Sequence, residues 1–584
     1  MDRPEIALHS GRTHQGDRIG PRENENMSQS DANNAALPRR RFIRKAASGL
    51  GAAALGGLGA KEAEAAKVIR RWDLAADVVV VGAGAAGLPA SITAAEQGAS
   101  VMVVEQNYDI GGHAIESGGN IALGGGTSLQ KKYGIADSPD RMFDDLVHWH
   151  DYRFSDREIV RAFCDESVAT FDFLLAHGVQ FPDRSPVGAD GGPQTVKRAQ
   201  SVAWSGEVSA YAPTGANGTA LMRPLEASAR KLGVQILLRH SMTGLVREEP
   251  FSGRVLGITV THEGKTLNIQ ARRGVVLSTG GHTSNVNFRR IFDPRLTEEY
   301  QVVGEPYSRQ TGDGEIAAMQ VGASLWGVAN QTVETQARSH IFEKPYVIGN
   351  QYGYPQGGGR RNENLKDSPV KAIARAIGLQ VADYQNLIQV NQVGRRFVNE
   401  FATGFDWWNP CLEVNGGKGE GGGPIWAIFD ADGEKREKWT CAPPFVDPDG
   451  WFFSGNSLRE LAGRIVSKYQ KEPMRTAALE ETAARYNSFV DTGKDQDFGK
   501  PSPKYKIQTP PFYAAWSTPC IHDCISGLRI NAKAQVIDLR GQVIPALYCG
   551  GETAGGFNQH GLAKSLTFGR IAGREAAAKS SVHS

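Results

Sequence analysis

Apolar residues in this chain gather in short β-branched runs that end in glycine, with helix-like stretches between them. Asp77–Val81 is such a run and reads as a buried parallel strand. Gly82, Gly84 and Gly87 follow as G-x-G-x-x-G, then a helix-like Leu88–Gln97 and a second strand, Ser100–Val104, closed by Glu105. Each position has a physical task. Gly82 permits a tight turn, Gly84 lets the backbone approach a pyrophosphate, and Gly87 lets helix and strand pack closely. The helix start offers unpaired N–H groups to phosphates, and Glu105 stands where an acid can take ribose hydroxyls. Strand before, helix after and acid beyond turn a weak motif into a dinucleotide site. Later segments continue the pattern. Gly111-Gly112 and Gly118-Gly119 would let backbone run close to a flat ligand. Val275–Gly281 reads as another buried strand ending in a glycine pair, and Thr311-Gly312-Asp313-Gly314 precedes a helical Glu315–Gly322. Ala546–Glu552 reads as another strand ending in Gly550-Gly551-Glu552, with a helix-like Ser565–Lys579 beyond.

The 584 residues suffice for about two or three domains. Residues 1–37 are polar and aperiodic and are expected to be disordered. Arg39-Arg40-Arg41-Phe42-Ile43-Arg44-Lys45 then precedes an Ala/Gly-rich Ala46–Ala60, and Ala63-Glu64-Ala65 supplies small-x-small before a cleavage point. The segment resembles a twin-arginine export signal, and Met27 is a start that would give it a more usual length. Its apolar part is too short and glycine-rich to span a bilayer. Export by the twin-arginine translocase to the periplasm is the expectation, with the cofactor acquired before translocation. A net charge of +2 with 22% charged residues leaves no basic surplus for nucleic acid. Six cysteines without C-x-x-C or C-x-x-C-H carry no iron–sulfur, zinc-ribbon or c-type haem signature, so electrons must be exchanged with a separate partner. Cys520 and Cys524 flank His522, but two thiols and an imidazole lack a fourth ligand, and no metal site is expected.

The blocks VVVVGAGAAGLPAS, GGHAIESGGN, VVLSTGGH, TGDGEIA, GRRFVNE, ARYNSFVDTGKDQDFG, PPFYA, ALYCGGETAGG and TFGRIAG occur in this order through nearly the whole chain beyond the signal. Together they resemble the fumarate reductase/succinate dehydrogenase flavoprotein superfamily, in its 3-ketosteroid Δ1-dehydrogenase-like branch. The resemblance implies an α/β fold, a Rossmann-type FAD-binding domain with an inserted α+β capping domain. Residues 1–66 would then be the disordered N-terminus and signal, 67–329 the first part of the FAD domain, 330–515 the capping or substrate domain, and 516–584 the C-terminal part of the FAD domain. The cofactor would be held by Gly82, Gly84, Gly87, Glu105, Gly111, Gly112, Gly118, Gly119, Thr279, Gly280, Gly281, Asp313, Gly551, Glu552 and Ser565. The helix at Ser565 would point its positive end at the flavin pyrimidine. His113 lies where some relatives bond the flavin covalently, but its loop to Gly118 has the spacing of the ketosteroid branch, so non-covalent FAD is expected.

The reaction that the resemblance implies is hydride exchange between flavin N5 and a carbon, with a proton moving at its neighbour. A carbonyl or carboxylate must stabilise the developing enolate-like charge, and the lid must exclude water. Fumarate reductases use arginines as acid and as carboxylate clamp. Here Arg396-Phe397-Val398-Asn399-Glu400-Phe401-Ala402-Thr403-Gly404 puts Gly404 at the acid's place, and Phe557-Asn558-Gln559-His560-Gly561 has no clamp arginine. Charge-assisted hydrogen bonds worth about 1.5–3 kcal/mol each are thereby lost, which disfavours fumarate and succinate. A neutral or monoanionic ketone or enone fits better. His560, set among glycines, is the candidate proton carrier. His522 and Asp523 fall in the block that usually contacts substrate, and Tyr513 resembles the carbonyl-binding tyrosine of the ketosteroid branch. His340, Tyr352 and Tyr354 lie in Gln331–Arg361, which has no family match and where specificity would reside. The main expectation is a dehydrogenase that desaturates a C–C bond beside a carbonyl and passes electrons to a quinone or a periplasmic redox protein. The reverse reaction, an exported enoate or enone reductase of fumarate- or urocanate-reductase type, is the alternative. A flavoprotein that has lost catalysis is opposed by the full-length lid.

Overall fold

The computed structural model describes residues 71–578 apart from 118, 149–154, 189–194, 203–216, 303–304, 306, 327–380, 403–406, 408–409, 412–422, 443–445, 447, 522–523 and 560. The chain enters on β1 (Leu74–Val81), whose Val78, Val79 and Val80 are wholly inaccessible. Burial on both faces is what an unbroken β-branched run supports. The glycine loop leads into α1 (Gly87–Glu96), and β2 (Val101–Glu105) returns parallel to β1 with Val78 opposite Val101. A short antiparallel pair, β3 (Asn120–Ala122) and β4 (Ala199–Ser201), brackets the long helix α2 (Arg157–Ala176). Asp156 caps α2 by accepting from the N–H groups of Glu158 and Ile159. β5 (Gln235–Leu238) then adds parallel to β2.

An antiparallel meander follows, β6 (Ser241–Glu249), β7 (Ser252–His262) and β8 (Lys265–Leu277). β8 is far longer than the apolar tip Val275–Leu277 that the hydrophobic pattern marks, because its first half is only partly buried and carries polar residues. One edge of β8 is held by β1 along most of its length; the other takes β7 over Lys265–Gln270 and the strand Val543–Cys549 over Val275–Leu277. The helix α3 (Asp313–Gln320) lies beyond β8 in the chain and starts two residues earlier than Glu315, since Gly312 at φ +78° already turns the backbone.

A second, four-stranded antiparallel sheet is built from β9 (Ile388–Val390), β10 (Trp426–Asp430), β11 (Phe452–Gly455) and, after the helix α4 (Thr476–Thr492), β12 (Phe512–Trp516), in the order β9-β10-β12-β11. Its strands bury both faces: Ala427, Phe429, Tyr513 and Ala515 enter one core, and Trp426, Ile428, Phe512, Ala514 and Trp516 enter another. Beside the second core, Arg396 bonds Glu400 at 2.9 Å and Asp495 at 3.0 Å, and Lys500 lies 3.5 Å from Glu400 while donating to the Leu387 carbonyl at 2.7 Å. Burial raises the Glu400 carboxyl, but Lys500 and Arg396 outweigh it and hold the group below its usual range. Burial likewise opposes, and Arg396 overcomes, a lowered Asp495, whereas burial brings Lys500 down to about 8.

The chain then returns to the first sheet. The hairpin β13 (Gln535–Ile537) and β14 (Val543–Cys549) docks on β8, and α5 (Leu562–Ala577) closes the structure against α1. That helix pair meets backbone to backbone. A Cβ on Gly569 would stand 2.2 Å from the Ala86 carbonyl oxygen, and one on Gly573 2.1 Å from that of Ala90. The apolar run Ala546–Glu552 ends as a strand at Cys549; Gly550 donates to the Leu277 carbonyl and Gly551, at φ +78°, turns Glu552 into a short 3-10 segment.

Two outcomes follow from this packing. Gly573→Ala forces α5 off α1 and should cost about 1–3 kcal/mol, as overpacking does; a thermal melt equal to wild type would refute the close contact. Glu400→Gln removes one partner of a buried ion pair and should cost about 3–5 kcal/mol. The lowered carboxyls of Glu400 and Asp495 contribute stability above their unfolded values, about 4.3 and 3.9, and that contribution is lost as pH falls through the lower folded values. Unfolding midpoints measured from neutral to acidic pH should therefore drop steeply for wild type and less steeply for Glu400→Gln.

Candidate active site

β1, β8 and β14 all run into glycine-bearing loops at their C-terminal ends, where open α/β sheets bind ligands. At the first of these, Gly82 donates to the Val104 carbonyl at 2.8 Å, and Ser278 Oγ donates to the Val81 carbonyl at 2.7 Å. The three motif glycines differ in what a side chain would meet. A Cβ on Gly82 would lie 2.3 Å from the Ser278 carbonyl oxygen, and one on Gly87 1.8 Å from that of Gly82. On Gly84 the nearest atom would be the Gly111 carbonyl oxygen at 3.8 Å. Gly82 and Gly87 are thus demanded by the fold itself, while Gly84 leaves room for a ligand against bare backbone. Glu105, at the end of β2, accepts from the N–H of Ala83 at 2.8 Å and of Asn107 at 2.9 Å. Burial pushes its carboxyl above the usual range, and the two N–H groups pull against that.

A second cluster forms where β8, α3 and β14 meet. Gly312 donates to the Gly281 carbonyl at 3.1 Å, Thr553 Oγ1 donates to the Gly280 carbonyl at 2.8 Å, and Thr279 Oγ1 lies 3.3 Å from Thr553 Oγ1. Glu552 accepts from Gln310 Nε2 at 2.5 Å and from the Cys524 N–H at 3.4 Å. His113 Nδ1 stands 3.4 Å from Gln310 Nε2 and 4.0 Å from Glu552. Behind the loop, His282 and Glu315 are wholly buried and bonded at 3.1 Å, and the His282 N–H reaches Cys524 Sγ at 3.2 Å. Burial raises Glu315, and His282 counters it. Ser565 lies in the first turn of α5, next to the Gly551 turn.

The structure therefore gathers Thr279, Gly280, Gly281, Gly551, Glu552 and Ser565 into one cluster, and Gly82, Gly84, Gly87, Glu105 and Gly111 into another, joined through β1 and β8. Gly111 donates to the Ala83 carbonyl at 3.0 Å, Gly112 opens the short helix that contains His113, and the Gly119 carbonyl accepts from the Val202 N–H at 3.0 Å. Asp313 is exposed at the start of α3 and accepts from Thr311 Oγ1 at 2.8 Å. Tyr513 stands apart: its ring packs on Phe429 and its hydroxyl, expected at a substrate carbonyl, donates to Glu434 at 2.7 Å. Gly118, Gly404, His522, Asp523, His560, the export signal and the stretch containing His340, Tyr352 and Tyr354 lie outside the described residues. Gln310 was not singled out by motif, His282 only closes the VVLSTGGH block, and Cys524 was weighed only as a metal ligand. Their only sequence signal is adjacency to glycine blocks, which does not say that they meet in space.

These donors fit FAD. Bare backbone at Gly84 suits a pyrophosphate, Glu105 suits ribose hydroxyls, and Glu552 beside the start of α5 suits the ribityl chain and ring. Comparison with known proteins agrees. A family model described as an FAD binding domain matches residues 77–341 and 368–563. The fumarate reductase (cytochrome) of Shewanella frigidimarina is 29% identical over 510 residues, covering 86% of this chain and 77% of that protein. The acrylate reductase flavoprotein subunit of Shewanella woodyi is 28% identical over 552 residues, covering 91% and 95%. Among solved structures, a 3-ketosteroid Δ4-(5α)-dehydrogenase from Rhodococcus jostii, 25% identical, superposes with a TM-score of 0.57 over 88% of this chain and 99% of that one. With the glycine cradle, the acidic pair and a family match across most of its length, the chain belongs to the FAD-binding flavoproteins of the fumarate reductase/succinate dehydrogenase superfamily, oxidoreductases acting on CH–CH groups.

Proposed function

We propose that the protein is an exported dehydrogenase that desaturates a C–C bond beside the carbonyl of a neutral or monoanionic substrate, such as a cyclic ketone. The observation that carries this reading is where three buried guanidiniums among the described residues are spent. Arg198 is tied to Asp137 and Asp145, Arg396 to Glu400 and Asp495, and Arg289 to the carbonyls of Thr283, Leu296, Thr297 and Tyr300. None of these three guanidiniums is left over for a dicarboxylate, and the sequence has no arginine at Gly404 or between Phe557 and Gly561. A fork-shaped carboxylate clamp of the kind that a dicarboxylate needs is accordingly not part of the reading.

When bound, FAD supplies the hydride acceptor; the protein supplies position and protons. Glu105 and Glu552 would hold the two ends of the cofactor, and the start of α5 would turn its positive end toward the flavin. His560 takes the proton lost from the carbon next to the carbonyl, since an imidazole titrates near neutral pH. His522 and Asp523 are assigned to orienting the substrate. Electrons leave to a quinone or a periplasmic redox protein, and export proceeds through the twin-arginine translocase. Reduction of an unsaturated monocarboxylate or enone is the second reading, favoured by the likeness to the acrylate reductase subunit.

An anaerobic titration of purified protein separates the two. Saturated ketones should bleach the oxidised flavin, whereas enones and acrylate offered to dithionite-reduced enzyme should reoxidise it slowly or not at all. Reoxidation without any bleaching in the first panel would overturn the dehydrogenase direction. His560→Ala should keep FAD and lower turnover about 10²-fold or more, the range for a lost proton carrier; unchanged turnover would remove His560 from the reaction.

A further inference from the structure

The first turn of α5 carries no acidic residue, although helix starts favour them. It carries Lys564 instead, and that lysine is 3% exposed. Its Nζ donates to the Cys524 carbonyl at 3.4 Å and to the Phe557 carbonyl at 3.5 Å. A cation at the positive end of a helix is unfavourable, and burying it adds to that. Two sources of positive charge, the helix start and the ammonium, thus coincide in one buried place.

Its neighbours say what this place is. Cys524, whose carbonyl accepts from Lys564, donates its N–H to Glu552 and receives the His282 N–H at its sulfur. A Cβ on Gly551 would lie 3.7 Å from Ser565 Oγ, so the start of α5 abuts the turn that bears Gly551 and Glu552. Lys564 is therefore part of the wall of the FAD site. Hydride transfer to a flavin brings two electrons and one proton, so the ring gains a negative charge unless a further proton reaches N1. A fixed cation near that end stabilises the charged, reduced form over the neutral oxidised one.

We propose that Lys564 sets the reduction potential of the bound flavin, its buried ammonium adding to the field of the α5 N-terminus to hold the charge gained on two-electron reduction. The proposal rests on the FAD site and not on the substrate. Its test needs no substrate. Sulfite adds to flavin N5 and leaves the same negative charge at N1–C2=O, so its dissociation constant reports the local field. The FAD-loaded wild type, Lys564→Met, Lys564→Gln and Lys564→Arg are titrated with sulfite, and their two-electron midpoint potentials are measured against reference dyes. The two neutral variants should bind sulfite at least tenfold more weakly and show potentials lower by about 30 mV for each tenfold change in the reduction equilibrium. Lys564→Arg should recover most of both. Unchanged sulfite affinity and potential in a neutral variant that retains FAD would overturn the proposal. So would loss of FAD from both neutral variants, which would make Lys564 a residue that holds the site together.

Discussion

Val81, Leu277 and Cys549 sit side by side in the central sheet because β8 pairs in parallel with β1 on one edge and with β14 on the other. Three strands that stop at one level deliver three glycine loops to one level. The spacing of a parallel ladder, a few ångströms per strand, then fixes how far apart the phosphate cradle and the Glu552 turn can be. Hydrogen bonds across the strand ends lock this arrangement. Gly82 is bonded to β2, Ser278 to β1, and Gly550 to the end of β8. Moving any one loop would mean breaking the ladder beneath it.

The second sheet owes its cohesion to another source. Its strands are apolar on both faces, and the neighbouring Arg396–Glu400–Asp495–Lys500 group compensates four buried charges almost completely. Such a group adds little net stability compared with apolar packing, but it penalises any arrangement that separates its members. It therefore fixes the R-F-V-N-E segment, which leads toward Gly404, in one place relative to the sheet. Tyr513 belongs to the same cohesion through Glu434 and Phe429.

How much of this was legible beforehand depended on whether a contact is local. The glycine loop with its flanking strand, helix and acid is local, and the structure reproduces it with Glu105 bonded to Ala83. The β6–β7–β8 meander was not seen, because half-buried strands with polar residues lack a continuous apolar run. The same limit hid the junction of Gln310, His113, Glu552 and Cys524, which comes from four separate segments. Tyr513 shows the converse limit. A family motif marked the residue, but the motif could not tell which partner its hydroxyl would meet.

The pairing of β14 with β8 joins Leu547 to Val275 and Cys549 to Leu277 across nearly half the length of the chain. Contacts so distant in sequence form late, and synthesis proceeds from the other end. Until β14 and α5 have been made, β8 keeps a bare edge and the cradle lacks Gly551, Glu552 and Ser565. A complete cradle thus exists only in a chain made and folded through α5, and bound FAD becomes a molecular certificate that the two distant halves of the sheet have met.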